Sequence, residues 1–199
     1  MTAIKICGLT REEDVRAAVA MGADMLGFIH VPRSSRFVPE DRLAALLAAA
    51  GTVKTVVVVQ NESPQQLTHL RHSFQFHSFQ FHGDEPHHYC SRFGGYPVVH
   101  VVAGQAPAIP KSELFLLDTA VGGQRGGSGK TFDWSLLDQV EGNYLVAGGL
   151  KPDNVGELVG RYQPWGIDVS SGIEAEPGIK DHHQMLCFFE NARKEGTHE

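Results

Sequence analysis

Tyr144-Leu145-Val146-Ala147-Gly148-Gly149-Leu150 and Gly166-Ile167-Asp168-Val169-Ser170-Ser171-Gly172 are two short apolar runs, each followed at once by small residues. A strand that ends in small residues and leads into a helix offers several bare backbone N–H groups to one anion. Gly148 and Gly149 carry no Cβ, so the main chain can approach a ligand closely there, and Ser170 and Ser171 add hydroxyl donors. Two such turns side by side, closing a series of βα units, make a phosphate site after strands seven and eight of a (β/α)8 barrel. Either turn alone is also an ordinary turn, so the remainder of the chain has to decide.

Six further strands precede these two, over residues 3–7, 25–30, 52–59, 78–82, 97–102 and 113–117. The run from Thr52 to Val59 is strongly β-branched, as an interior parallel strand requires when both faces are covered. Between the strands lie helix signals. Thr10 with Glu13 has the spacing of a capping box, and Ser63-Pro64 reads as an N-cap followed by proline at the first helical position. Further helices are expected from near residue 39, after the turn at 83–86, weakly over 103–111, beyond a cap at Thr131 or Asp133, and over 180–193. Eight strands alternating with helices close most economically, with right-handed crossovers, as a single-domain (β/α)8 TIM barrel.

The pentapeptide Ser73-Phe74-Gln75-Phe76-His77 repeats at once as Ser78-Phe79-Gln80-Phe81-His82. Gly83-Asp84-Glu85-Pro86 ends the second copy and starts a helix, which assigns that copy to strand four. Alternation then turns Phe79 and Phe81 toward the helices and Gln80 and His82 into the barrel. The first copy is a register competitor, since a shift of five residues keeps the identity but reverses the faces.

With 199 residues the chain is short for such a barrel, which typically takes ~250, so its loops must be brief. Apolar residues at 42% and charged residues at 20% describe a folded globular chain rather than a disordered one. No apolar run approaches the ~18 residues of a membrane span, and the start Met1-Thr2-Ala3-Ile4-Lys5 lacks a signal peptide's apolar region, so the expected place is the cytoplasm. The tail from about residue 195 is expected to be loose. Three widely spaced cysteines, Cys7, Cys90 and Cys187, suggest neither a disulfide framework nor a zinc motif. A formal charge of -6 with no basic stripe argues against nucleic acid, while a small anionic substrate stays open because helix N-termini supply local donors. The histidines form no metal-binding spacing.

Position singles out several side chains. Cys7 ends strand one, on the face that carries catalysis in these barrels, although free cysteines are also commonly small buried hydrophobes. Arg33 and Arg36 follow strand two and offer guanidiniums suited to clamping a carboxylate. His82 ends strand four and is either a functional or a structural histidine. Asp118, after four apolar or aromatic residues, is costly to bury unless it faces a polar site, and no helix begins there for it to cap. The glycine-rich residues 122–130 that follow suit a lid. Gly129-Lys130-Thr131 is not a nucleotide P-loop, because Gln124 stands where that motif needs glycine and the helix starts too late.

Taken together, Lys5-Ile6-Cys7-Gly8-Leu9-Thr10, Arg36, Gln80-Phe81-His82-Gly83-Asp84-Glu85, Leu116-Leu117-Asp118-Thr119, Gly126-Gly127-Ser128-Gly129-Lys130-Thr131-Phe132-Asp133-Trp134, Ala147-Gly148-Gly149-Leu150 and Asp168-Val169-Ser170-Ser171-Gly172-Ile173-Glu174 resemble the phosphoribosylanthranilate isomerase family of tryptophan biosynthesis. The similarity runs in order from Lys5 to Asp181, and as a set it is specific although each piece is weak alone. The resemblance implies an Amadori rearrangement of N-(5-phosphoribosyl)anthranilate without metal or cofactor, in a monomer or homodimer. It makes Asp118 the general acid on the furanose ring oxygen and Cys7 the base on the C2' proton. It further implies that Arg36 holds the anthranilate moiety, that Asp168 lies near it, and that Gly148, Gly149, Ser170, Ser171 and Gly172 bind the phosphate; His82, from its place at a strand end, is a substrate-binding candidate.

Three places depart from the family's pattern: Val59-Gln60-Asn61, His30-Val31, and His100-Val101-Val102-Ala103, which lacks a lysine often found there. None touches the acid or the base. A related barrel isomerase acting on the histidine-pathway imidazole substrate, or on both substrates, resembles a two-aspartate design, and Cys7 stands where its first aspartate would be. A phosphate-binding module that has lost catalysis is disfavoured by the presence of both Cys7 and Asp118.

Overall fold

Lys54–Val59 shows how the sequence builds the barrel: Val57 and Val59 join the apolar layer under the helices, while Val56 joins a separate apolar cluster inside. In the computed structural model, which describes residues 1–102, 107–110, 112–121, 124–125 and 131–194, the main strands are β1 (Ala3–Cys7), β2 (Met25–Ile29), β3 (Lys54–Val59), β4 (Ser78–Phe81), β5 (Gly95–Val102), β6 (Phe115–Val121), β7 (Tyr144–Val146) and β8 (Gly166–Val169). Strands β2, β5, β6 and β7 repeat that division, whereas β4 and β8 add only to the outer layer. The eight pair in parallel in the order β5-β4-β3-β2-β1-β8-β7-β6, and β5 pairs with β6 to close the ring. Closure leaves no edge among these eight.

Parallel neighbours need crossovers, and these are α1 (Glu12–Ala20), α2 (Glu40–Ala49), α3 (Pro64–Ser73), α4 (His87–Arg92), a 3₁₀ helix (Trp134–Gln139) and α5 (Val155–Tyr162), with α6 (His182–Lys194) covering the last strand. No described helix is long and apolar enough to cross a membrane. Outward residues such as Ile4, Ile6, Phe79, Phe81, Phe115, Leu117, Ile167 and Val169 make the main core with the helices. Inside, Met25, Val56, Tyr96, Val98, Leu116, Leu145 and Ala147 fill the barrel with apolar side chains. Lys5, Gln80, Asp118 and Asp168 are the buried polar groups on the same inward face.

The repeated pentapeptide is resolved as expected, with the second copy in β4 and Phe79 and Phe81 outward. The first copy is held outside the sheet. Ser73 ends α3, the Phe76 ring packs edge-on against Phe79 at 4.8 Å, and His77 Nδ1 accepts a hydrogen bond from the Thr55 N–H at 3.0 Å. Arg71 adds a guanidinium over the Phe76 and Phe79 rings and donates to the carbonyls of Phe76 and Gly94.

Some local expectations differ from the structure. Thr10 makes no capping box: Arg11 is the N-cap of α1 without a side-chain bond, and the Thr10 hydroxyl donates instead to the Gly178 carbonyl. The last helix starts at His182 rather than Lys180, because Ile179–Lys180 pairs antiparallel with Glu174–Glu176 in a hairpin that apolar periodicity does not signal. Asp181 then accepts from the N–H groups of His183 and Gln184. Asp133, not Thr131, caps the 3₁₀ helix, accepting from the Ser135 N–H. Strand β6 continues past Leu117 to Val121, so Asp118 lies within it. Of the weak helix at 103–111, residues 107–110 are not helical, and 103–106 and 111 lie outside the described residues. So do 122–123 and 126–130 of the expected lid and the tail 195–199.

Candidate active site

At the C-terminal ends of the strands the inward face opens into a cavity of about 280 Å³. Cys7, Arg36, His82, Asp118, Gly148, Gly149, Asp168, Ser170, Ser171 and Gly172 all line it, which brings together every candidate that the sequence singles out for the reaction. Arg33 lines it as well.

Beneath Cys7 lies the Lys5 ammonium. Lys5 and Asp168 are register partners on β1 and β8, and Lys5 Nζ sits 2.9 Å from Asp168 Oδ2 with the lysine side chain fully buried. Burial is the largest single influence and lowers the lysine pKa, but the Asp168 carboxylate together with the nearby Cys7 and Tyr96 outweighs it and the net shift is upward. At Cys7, burial pushes the thiol up, and the Lys5 charge pulls it partly back. Gly27 on β2 leaves room for this pair, since a Cβ there would stand 2.7 Å from Cys7 Sγ and 3.1 Å from Lys5 Nζ.

Across the cavity, Asp118 is only 5% exposed. Burial, helped by the Asp168 charge, raises its pKa to about 7, against a lowering contribution from the Thr119 N–H, which donates to Oδ1 at 2.8 Å. His82 Nε2 lies 3.6 Å from Asp118 Oδ2, and the His82 ring meets that of His100 edge-on at 5.1 Å between centroids. Gln80 connects to this group from below, its Nε2 3.4 Å from His82 Nδ1 and its Oε1 accepting from the Tyr96 hydroxyl at 3.1 Å.

The two small-residue turns sit on the neighbouring rim. Gly148 at φ +87° and Gly149 at φ +66° take the left-handed conformation that side chains resist, and a Cβ on Gly148 would stand 2.8 Å from Asp118 Oδ1. A Cβ on Gly172 would run into the Leu150 carbonyl, so the two turns touch through their backbones. Ser170 Oγ and Asp168 Oδ1 are buried polar atoms without a protein hydrogen-bond partner among the described residues.

Arg36 lines the cavity with its guanidinium forked onto Glu174, Nε to Oε1 at 2.8 Å and Nη2 to Oε2 at 2.6 Å. Lys180 Nζ reaches the same carboxylate at 2.8 Å and the Ser170 carbonyl at 3.1 Å. Burial opposes ionisation of Glu174, yet the two cations hold its pKa below the usual value. Sequence reasoning missed Lys5, Glu174 and Lys180 as site supports. Lys5 had a signal, because it alternates with Ile4 and Ile6 and therefore points inward; Glu174 and Lys180 depend on the unforeseen hairpin.

The family model described as N-(5'-phosphoribosyl)anthranilate (PRA) isomerase matches residues 4–191. The chain belongs to this family. Among PRA isomerases it is similar to that of Dechloromonas aromatica, 42% identical over 97% of each chain, and to that of Thermotoga petrophila, 39% identical over 97% of this chain and 99% of the relative. The solved PRA isomerase of Thermotoga maritima superposes with a TM-score of 0.85 at 33% identity, covering 98% of this chain and all of the other. A further PRA isomerase structure, at TM-score 0.81, 30% identity and 98% coverage, is a complex with reduced 1-(o-carboxyphenylamino)-1-deoxyribulose 5-phosphate.

Proposed function

We propose that this chain is an N-(5'-phosphoribosyl)anthranilate isomerase of tryptophan biosynthesis, acting in the cytoplasm, and that Asp118 and Cys7 are its acid and base. The observation that carries the assignment is the meeting of a thiol from β1 and a buried carboxyl from β6 in one cavity, with two backbone turns at its rim.

With its pKa near 7, Asp118 keeps a large protonated share at neutral pH, so it can give a proton to the furanose ring oxygen. The C1'–O bond breaks as the nitrogen lone pair forms the iminium. Cys7 then removes the C2' proton, and the electrons of that C–H bond neutralise the iminium to leave an enolamine, which tautomerises to the aminoketose. Burial makes the thiol a reluctant acid, and the Lys5 ammonium together with the iminium charge offsets that cost while the thiolate is needed. The Gly148-Gly149 and Ser170-Ser171-Gly172 turns hold the phosphate through backbone N–H groups and hydroxyls. Arg36 holds the anthranilate carboxylate, exchanging some of its contact with Glu174, and Asp168 and His82 line the sugar. The working form is a monomer or a homodimer; one related Thermotoga maritima structure is of monomers generated from a dimeric PRA isomerase.

The test is fluorescence-monitored consumption of phosphoribosylanthranilate by the purified protein. Cys7→Ala and Asp118→Asn should each lower turnover at least ~100-fold while inorganic phosphate still binds. Turnover close to wild type in either variant overturns that residue's role.

A further inference from the structure

Three consecutive strands bring three potential ligands together on one part of the barrel wall. His100 on β5 and Asp118 on β6 are register partners, and His82 directly follows β4, whose Phe81 pairs with Pro97 on β5. One ligand atom from each of His82, His100 and Asp118 falls within 4.8 Å of the other two. We propose that His82, His100 and Asp118 form a binding site for a divalent transition-metal ion of the zinc class, and that occupancy of this site shuts off proton delivery by Asp118.

Two imidazoles and a carboxylate are a borderline donor set that suits zinc or cobalt and not magnesium or calcium, which favour all-oxygen shells. Zinc bonds of ~2.0–2.2 Å to nitrogen and oxygen would draw the ligand atoms to roughly 3.4 Å apart, a change within reach of small side-chain rotations. The three groups span one side of the ion, and the cavity onto which His82 and Asp118 open leaves the other side for water or an anion.

The surrounding hydrogen bonds accommodate both forms. In the tautomer with Nδ1 accepting from the Gln80 amide, whose Nε2 lies 3.4 Å away, the imidazole proton sits on Nε2, facing Asp118. Turning the Gln80 amide over presents its oxygen to Nδ1–H and its NH₂ to the Tyr96 hydroxyl, which exposes the Nε2 lone pair to a metal. The proton balance is simple. His82 shifts its proton from Nε2 to Nδ1, and a protonated Asp118 releases one proton to solvent as its carboxylate binds. The metal-bound and proton-donating forms of Asp118 are therefore mutually exclusive. Spacing along the chain hides the site, since each ligand sits a whole βα unit from the next.

The inhibition rests on the acid role of Asp118 in the reading above, whereas the binding does not. Cobalt(II) added to the full chain after chelator treatment should bind one ion per chain, with the intense visible absorption of a four- or five-coordinate ion that zinc displaces. Zinc should suppress isomerase turnover, and a chelator should restore it. His100→Gln should weaken cobalt binding at least ~10-fold. Asp118→Asn, inactive in any case, should lose the same spectrum and serves if the His100 variant does not fold. Cobalt affinity equal to wild type in the folded His100→Gln or Asp118→Asn protein, or a weak six-coordinate spectrum in the wild type, overturns the proposal. A cobalt spectrum that depends on His100, together with no inhibition by zinc, upholds the site and refutes Asp118 as the acid.

Discussion

The two sides of the cavity treat buried charge in opposite ways. On the β8–β1 side the carboxylates face cations: Asp168 meets Lys5 at 2.9 Å, and Glu174 meets both Arg36 and Lys180. On the β6 side Asp118 is buried equally deeply, and the groups described beside it are the Thr119 N–H and the imidazoles of His82 and His100. In the proposed reading, buried carboxylates therefore serve two purposes. A carboxylate with a cation at contact distance is a fixed anion that organises the rim, whereas one without keeps its proton to a higher pH and can act as an acid.

Removing the cation from the paired side should have the largest effect on stability. Lys5→Met leaves Asp168 buried without its partner and should cost about 3–5 kcal/mol in urea unfolding. The double replacement Lys5→Met with Asp168→Leu should recover much of that loss, and failure to recover would mean that Lys5 stabilises by packing and not by pairing. A smaller effect is expected at Glu174. Its folded-state pKa lies below the unfolded value, so the stability it contributes is fully present above the unfolded carboxylate pKa and is lost as pH falls through the folded one. Thermal melts taken from neutral pH into the acid range should therefore fall more steeply for wild type than for Glu174→Gln; parallel curves would remove Glu174 from the paired set. The smallest effect on stability is expected on the unpaired side. Asp118→Asn replaces a carboxyl whose charged form the fold disfavours, so unfolding at neutral pH should change by less than about 1 kcal/mol, or improve, although turnover collapses. A loss comparable to that of Lys5→Met would erase the contrast between the two sides.

Much of the barrel was legible because its strands carry their own punctuation. Thr52 to Val59 announces a buried parallel strand by β-branching, and Ser63 caps α3 as read, accepting from the Gln66 N–H at 3.1 Å. Asp118 stood out because a carboxylate after Phe115-Leu116-Leu117 needs a reason to be there. What stayed hidden depends on partners distant along the chain. Thr10 has the capping spacing, but the Gly178 carbonyl claims its hydroxyl, and nothing near Thr10 foretells a hairpin so far downstream. Arg36 was legible as a clamp for an anion, and its fork on Glu174 was not, because that carboxylate reaches it only through the same hairpin. The adjacency of His82, His100 and Asp118 likewise follows from strand register and not from local pattern.

The duplicated pentapeptide carries a consequence for how the polypeptide is made. Ser73-Phe74-Gln75-Phe76-His77 leaves the ribosome before its twin, so the nascent barrel meets the decoy first, with the same apolar rings on offer. The imidazole of His77, fastened to the amide of Thr55, marks that copy as connector and leaves the place beside β3 to the later one. Protein synthesised with alanine at this single histidine should emerge with a larger share of misthreaded, aggregating chains, even where the mature enzyme shows ordinary turnover.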